Sequence, residues 1–253
     1  MQELTNLITA EKQPQKALQR VQIQVAKVPD ESSYHLLLGQ LLLAAHNAAS
    51  AETEFSKTIE LDSSRSAALL LLPQAQQEAG HFDDAASSYE RLMRIEPNNP
   101  EPCVNYALLE ERRARWQHAE QLYSRALELQ ANQPTAANNL SYLLLEHGGD
   151  TDHALALAQI ARRGMPESTT AADTLAWAYY KKGIYGSAID LLREATRNAP
   201  QNPTYYYHLG LAYQKSNQLA LAKTNFQRFL QLDPKSPRAD EIRQAMTELQ
   251  TNQ

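Results

Sequence analysis

One alanine recurs down this chain at almost constant spacing. Ala17, Ala51, Ala85, Ala119, Ala154, Ala188 and Ala222 are separated by 34, 34, 34, 35, 34 and 34 residues, and the longer step falls where "GGDTD" (148–152) adds a loop residue. A fixed period of this size marks a repeat architecture, in which each unit is one supersecondary element. Other positions keep the same phase. Leu38, Leu72, Tyr106, Leu140, Leu175 and Leu209 stand about thirteen residues before the alanine, and Gly39, Ala107, Ser141, Ala176 and Gly210 follow them. Phe55, Tyr89, Tyr123, Ala158, Leu192 and Phe226 come four residues after it, and Pro29, Pro97, Pro166, Pro200 and Pro234 close the unit.

Apolar residues three and four apart predict two amphipathic helices per unit. A turn near Gly80, Gly148 or Gly183 joins them, the small residue lets them approach closely, and the proline stops the second helix. Neither helix can bury its apolar face alone, so the units must stack. Six full units follow, at 32–65, 66–99, 100–133, 134–168, 169–202 and 203–236. Residues 1–31 read as a partial repeat whose second helix lies around Gln15 to Val28. Residues 237–253 read as a cap helix with Ser236 as N-cap, Pro237 at the first helical position, and Ala239, Ile242, Met246 and Leu249 as its apolar stripe.

This pattern resembles the tetratricopeptide repeat (TPR) family. The match is fullest at 169–202, through Leu175, Ala176, Tyr179, Ala188, Leu192, Ala195 and Pro200, and at 203–236, through Tyr206, Leu209, Gly210, Tyr213, Ala222, Phe226, Phe229 and Pro234. The resemblance covers essentially the whole chain. It implies an all-α, right-handed superhelical solenoid in one domain, 1–253, and a protein-binding role. Two units depart from it. Pro73 stands inside a first helix, where it is expected to bend or interrupt that helix, with Gln76 at a place for an aromatic; Glu110 takes that same place in 100–133.

In such a solenoid the first helix of each unit lines a concave groove. Of the three successive tyrosines at 205–207, Tyr206 belongs to the core stripe, Tyr205 leans toward the preceding unit, and Tyr207 shares a third stripe with Leu211 and Gln214. The corresponding stripe is Asp173, Trp177 and Tyr180 in 169–202, and Asn138, Tyr142 and Leu145 in 134–168. Tyr142, Trp177, Tyr180, Tyr207 and Leu211 are therefore expected to face the groove, where exposed aromatics anchor partners; the alternative is that they pack between units. Asn105 and Asn139 share one phase. The resemblance implies that asparagines there hold a peptide backbone, for which an amide offers both donor and acceptor; otherwise they bridge repeats. The basic clamp of chaperone-adaptor relatives is missing, its places being taken by Leu36, Gln40, Leu70 and Gln74.

The residues carry no catalytic motif. There is no Gly-rich phosphate loop, G-x-S-x-G, H-E-x-x-H or paired-cysteine spacing. No enzyme, cofactor or metal is expected, although His147, Asp150, Asp152 and His153 could be drawn as a metal loop. Cys103, the one cysteine, falls on a core face as a buried thiol. Net charge is -5, and the basic run "ERRAR" (111–115) reads as a solvated helix face, so nucleic acid is not an expected partner. The longest apolar run, Ala67 to Leu72, is too short to span a membrane.

The expected role is a non-catalytic scaffold, monomeric or weakly self-associating, that binds a peptide or protein segment. Alternatives are a self-assembling solenoid, or the targeting portion of a larger enzyme. The stretch from Asn138 to Gly183 also looks like bacterial TPR proteins of envelope or exopolysaccharide export. A cytoplasmic location is the default, with an extracytoplasmic one if the chain is a fragment lacking its signal.

Overall fold

Each period winds into two helices. The computed structural model describes residues 14–251, with no strand among them. The helices are α1 (Pro14–Lys27), α2 (Ser32–Ala44), α3 (Ala48–Leu61), α4 (Ser66–Ala79), α5 (Phe82–Ile95), α6 (Glu101–Arg112), α7 (Trp116–Leu129), α8 (Pro134–His147), α9 (Thr151–Gly164), α10 (Thr169–Lys181), α11 (Tyr185–Asn198), α12 (Pro203–Lys215), α13 (Leu219–Leu232) and α14 (Ala239–Thr251). From Ser32 to Leu232 they fall in pairs, a first and a second helix to each period, and α14 follows alone. Residues 1–13 of the expected partial repeat lie outside the described residues.

The turn inside each pair depends on one residue in the left-handed region. It is Gly80, Gly148 or Gly183 in three pairs (φ 85°, 78° and 76°), and His46, Ala114 or Asn217 in the others (φ 57°, 55° and 61°). Glycine carries no steric penalty there; alanine does. Side chains then cap the next helix: Asp150 accepts from the amides of Asp152 and His153, Ser168 from Ala171, and Asn202 from Thr204.

The contacts divide the chain into two compact units, one ending at Ala119 and the other starting at Glu120, so the division falls within α7. In each unit consecutive helices pack together, and so do successive first helices: α2 on α4, α8 on α10, and α10 on α12. The small residue before the paired aromatic explains how closely a pair approaches. A Cβ on Gly39 would lie 2.6 Å from Phe55, and one on Gly210 2.5 Å from Phe226, both rings being fully buried. Ser141 fills the same place in α8 and donates through Oγ to the Ala154 carbonyl at 2.7 Å.

In the first unit, the two departures from the repeat pattern are filled by polar pairing. Glu110 is fully buried, and its carboxylate meets His118 Nδ1 at 2.7 Å, Arg113 Nη1 at 3.4 Å and Arg115 Nη1 at 3.5 Å. Part of the basic run therefore compensates a buried charge instead of forming a solvated face; Arg113 also pairs with Asp83 at 2.5 Å. Gln76 accepts from Ser88 Oγ at 2.8 Å. Pro73 does not interrupt α4, which continues helical on both sides of it. A proline inside a helix removes one backbone donor, and the buried ring sits where other units place a small side chain. Cys103 is buried.

In the second unit, Leu192, Phe226, Phe229, Tyr213 and Tyr207 form the centre of the core, and Ile242 of α14 closes it. The cap helix begins at Ala239, two residues later than expected: Ser236 accepts from the Arg238 amide in a turn, and the Arg238 carbonyl receives the first helical bond, from Ile242. Ala239 and Ile242 are buried and Met246 is partly buried; the Leu249 side chain lies outside those described.

Candidate functional site

The successive first helices α8, α10 and α12 bring a stripe of aromatic and charged side chains to one face of the second unit. Tyr142 is on α8, Trp177 and Tyr180 on α10, and Tyr207 and Leu211 on α12. Their exposures differ from the sequence expectation. Trp177 is 4% exposed and Tyr207 7%, so these two form the floor of the face, while Tyr142, Tyr180 and Leu211 remain half-buried. Burial has a direct cause: the rings stack on one another. Trp177 lies parallel to Tyr180 at 4.8 Å and to His208 at 4.2 Å, and Tyr207 is tilted against Phe229 at 5.6 Å.

Tyr205 and Tyr206 have other jobs. Tyr205 is buried and its hydroxyl donates to Thr169 Oγ1 of the preceding repeat at 3.2 Å. Tyr206 is half-buried, donates to the Pro200 carbonyl at 3.3 Å and lies beneath Arg228.

Three charged groups complete the stripe, and the sequence reading named none of them as binding residues. Glu146 accepts from Trp177 Nε1 through Oε1 at 2.8 Å and from Arg238 Nη2 through Oε2 at 2.9 Å. The Arg238 guanidinium also covers the Tyr207 ring at 4.8 Å, and its charge reaches the Tyr142 hydroxyl. Lys181 Nζ lies over the Trp177 ring at 4.7 Å. Beneath them, Asp173 accepts from the fully buried His208, Oδ1 to Nδ1 at 2.8 Å. His208 shares the phase of Asn105 and Asn139, a relation the period could have revealed. No local signal could have linked Arg238 to Glu146.

Burial pushes the Tyr207 hydroxyl up to about 12, and raises those of Tyr142 and Tyr180 above the usual phenol range, with Glu146 adding to the shift at Tyr142. These phenols are neutral donors near pH 7.

The two asparagines are placed differently. Asn139 is engaged within the fold: its Nδ2 donates to the Tyr123 hydroxyl at 3.1 Å and its Oδ1 accepts from Asn138 at 3.0 Å. Asn105 is exposed on α6 of the first unit. The drawn His147–His153 loop holds structural carboxylates. Asp150 caps α9, and Asp152 pairs with Lys182 at 2.7 Å. Elsewhere, Glu52, His81 and Asp84 bring ligand-type atoms within 4.8 Å of one another at the surface. On the second-helix side of the second unit, Ile189, Arg193, Tyr213 and Leu221 line an open cavity of about 460 Å³. No helix among the described residues is long and apolar enough to cross a membrane.

Comparison with known proteins follows the same repeats. Tetratricopeptide repeat models match residues 76–141 and 203–236, and a TPR repeat model matches 177–217. No curated protein sequence matches the chain. Among solved structures, it is similar to the APC/C hetero-tetramer Cut9–Hcn1, with 18% identity and a TM-score of 0.73 over 97% of this chain; it spans 48% of that chain's length. It is similar to Pseudomonas aeruginosa pilF, with 18% identity and a TM-score of 0.71 over 85% of this chain and 97% of the other. It is also similar to YrrB, described as a TPR protein with an unusual peptide-binding site, with 18% identity and a TM-score of 0.55 over 78% of this chain and 97% of the other. At such identities the likeness speaks for the fold. Stacked helix pairs of this kind make protein–protein interaction scaffolds. With the period, the paired helices and the family models in agreement, this chain belongs to the tetratricopeptide repeat family.

Proposed function

We propose that this chain is a non-catalytic scaffold and that the first-helix face of its second unit binds a segment of a partner protein. One observation carries the reading. Tyr142, Tyr180 and Leu211 stay half-open above a rigid floor of Trp177 and Tyr207, with Glu146 beside them. Half-open aromatics held by packing lose little freedom on binding and bury large apolar area, which is how interface anchors work. YrrB, of similar fold, is described as having an unusual peptide-binding site, in keeping with a peptide or protein segment as occupant.

Asn139 belongs to this proposal as a residue that positions Tyr123 and Asn138, whereas Asn105, an exposed amide of the first unit, is a separate candidate contact. The net charge of -5 favours a protein over a nucleic-acid partner. The chain itself is a monomer or weak homo-oligomer.

The test pairs Tyr180→Ala with Leu221→Ala, the latter on the second-helix side. Partner capture from the native cell extract is measured for each, with a melting curve on the same sample. Loss in Tyr180→Ala alone, with the fold intact, supports the reading. Loss in Leu221→Ala alone moves the binding face to the cavity on the second-helix side and overturns it.

A further inference from the structure

We propose that the face of the second unit is an arginine-reading site: Tyr142, Glu146 and Tyr207 receive a guanidinium from a partner segment, and Arg238 holds that place in cis. This rests on the first-helix face being the binding face, and goes further by naming what it recognises.

Glu146 is the centre of the site. One carboxylate oxygen is fixed by the Trp177 indole N–H at 2.8 Å, and the other is presented to Arg238 at 2.9 Å. The carboxylate is thus oriented by the floor of the site and offers its free oxygen to a donor. A planar guanidinium then satisfies two features at once, charge for Glu146 at 2.9 Å and a cation over the Tyr207 ring at 4.8 Å, and its charge also reaches the Tyr142 hydroxyl. An ammonium is a point charge without the fork or the stacking plane, so the arrangement selects arginine over lysine.

Arg238 is suited to leave. It comes from a turn ahead of α14, and its side chain is 39% exposed. The cap helix is held independently, through buried Ala239 and Ile242, so withdrawing one side chain does not require the helix to detach. Two buried polar atoms beside the site also have no partner among the described residues: Asn138 Oδ1, one turn from Tyr142, and Nε2 of His208, the ring stacked on Trp177. A buried polar atom without a partner is costly, and a segment crossing the face brings backbone donors and acceptors to this neighbourhood.

The experiment uses the full chain and two synthetic probes, N-acetyl-Gly-Arg-Gly-amide and its lysine counterpart. The readout is the Trp177 indole N–H signal by NMR, assigned with Trp116→Phe. In Arg238→Ala the arginine probe is expected to bind at least tenfold more tightly than in the unaltered chain, and at least tenfold more tightly than the lysine probe. Adding Glu146→Gln abolishes it. Equal binding to both chains, equal binding of both probes, or survival of binding in the Glu146→Gln background each overturns the proposal. If Arg238→Ala and Arg238→Gln both melt the repeats, Arg238 is a structural strut and the proposal also fails. Should Tyr180→Ala still lose the partner while the probes fail, the binding face stands and only the arginine specificity falls.

Discussion

Gly210→Ala inserts a methyl group where two helices have no room for it. The new Cβ would lie 2.5 Å from Cδ1 and from Cε1 of Phe226, a fully buried ring. Carbon atoms rest at about 3.5–4.0 Å, so the overlap is roughly 1 Å on two atoms, and the ring or the helix must shift. Overpacking of this kind costs about 1–3 kcal/mol. Alanine is a better helix former than glycine by about 1 kcal/mol, which offsets part of it. A ring without space to move puts the cost at the upper end, so the net loss is about 1–2 kcal/mol. Gly186→Ala is the control: in α11 its Cβ would meet nothing within 4 Å, and it should gain about 0.5 kcal/mol from the stiffer unfolded chain. Urea unfolding followed by circular dichroism gives both values, with Phe226→Leu added to Gly210→Ala. That second change should recover stability relative to the sum of the two single variants, because the smaller side chain vacates the overlap. A neutral or stabilised Gly210→Ala, or strict additivity in the double variant, would refute the packing of α12 on α13 through that glycine.

Trp177→Ala should cost about 3–5 kcal/mol, as expected for a large buried side chain, while Trp177→Phe keeps the stacking and loses mainly the bond to Glu146; equal melting curves for the two would contradict the buried floor. Pro73→Ala should raise stability by about 1–2 kcal/mol in chemical denaturation, since the restored backbone donor outweighs the lost ring contacts; a loss would mean that the ring is required for packing. The buried tyrosines' contribution to stability should be constant up to about pH 10 and fall between about pH 10 and 12. Burial raises Tyr89 and Tyr207 to about 12, so the unfolded chain releases its phenol protons first, and the stability present below the unfolded value is lost as pH rises. Alkaline unfolding monitored together with tyrosine ionisation checks this, and ionisation well before unfolding would contradict it.

The period made the fold legible because it is a local property: the apolar positions, the turn residue and the closing proline all lie within one unit. Tyr205 could be directed to its neighbour for the same reason. Exposure was harder to read. Helical phase says that Trp177 points to the inner face, but not that Tyr180 and His208 stack over it. Glu110 looked like a defect at an aromatic place, since the arginines and histidine that compensate it gather only once α6 and α7 are formed. The charged part of the site was least visible. Glu146 and Arg238 stand 92 positions apart, and only the stacking of two further first helices, α10 and α12, brings them within 2.9 Å.

Site-specific photo-cross-linking tests most directly the claim that the first-helix face is where a partner binds. A benzophenone amino acid replaces Tyr180 in one chain and Leu221, on the second-helix side, in another, and adducts formed in the native cell are identified by mass spectrometry. The account predicts one recurrent protein adduct from position 180, mapping to a single segment of that protein, and none of it from position 221. Recurrent adducts from position 221 with none from position 180 would contradict it.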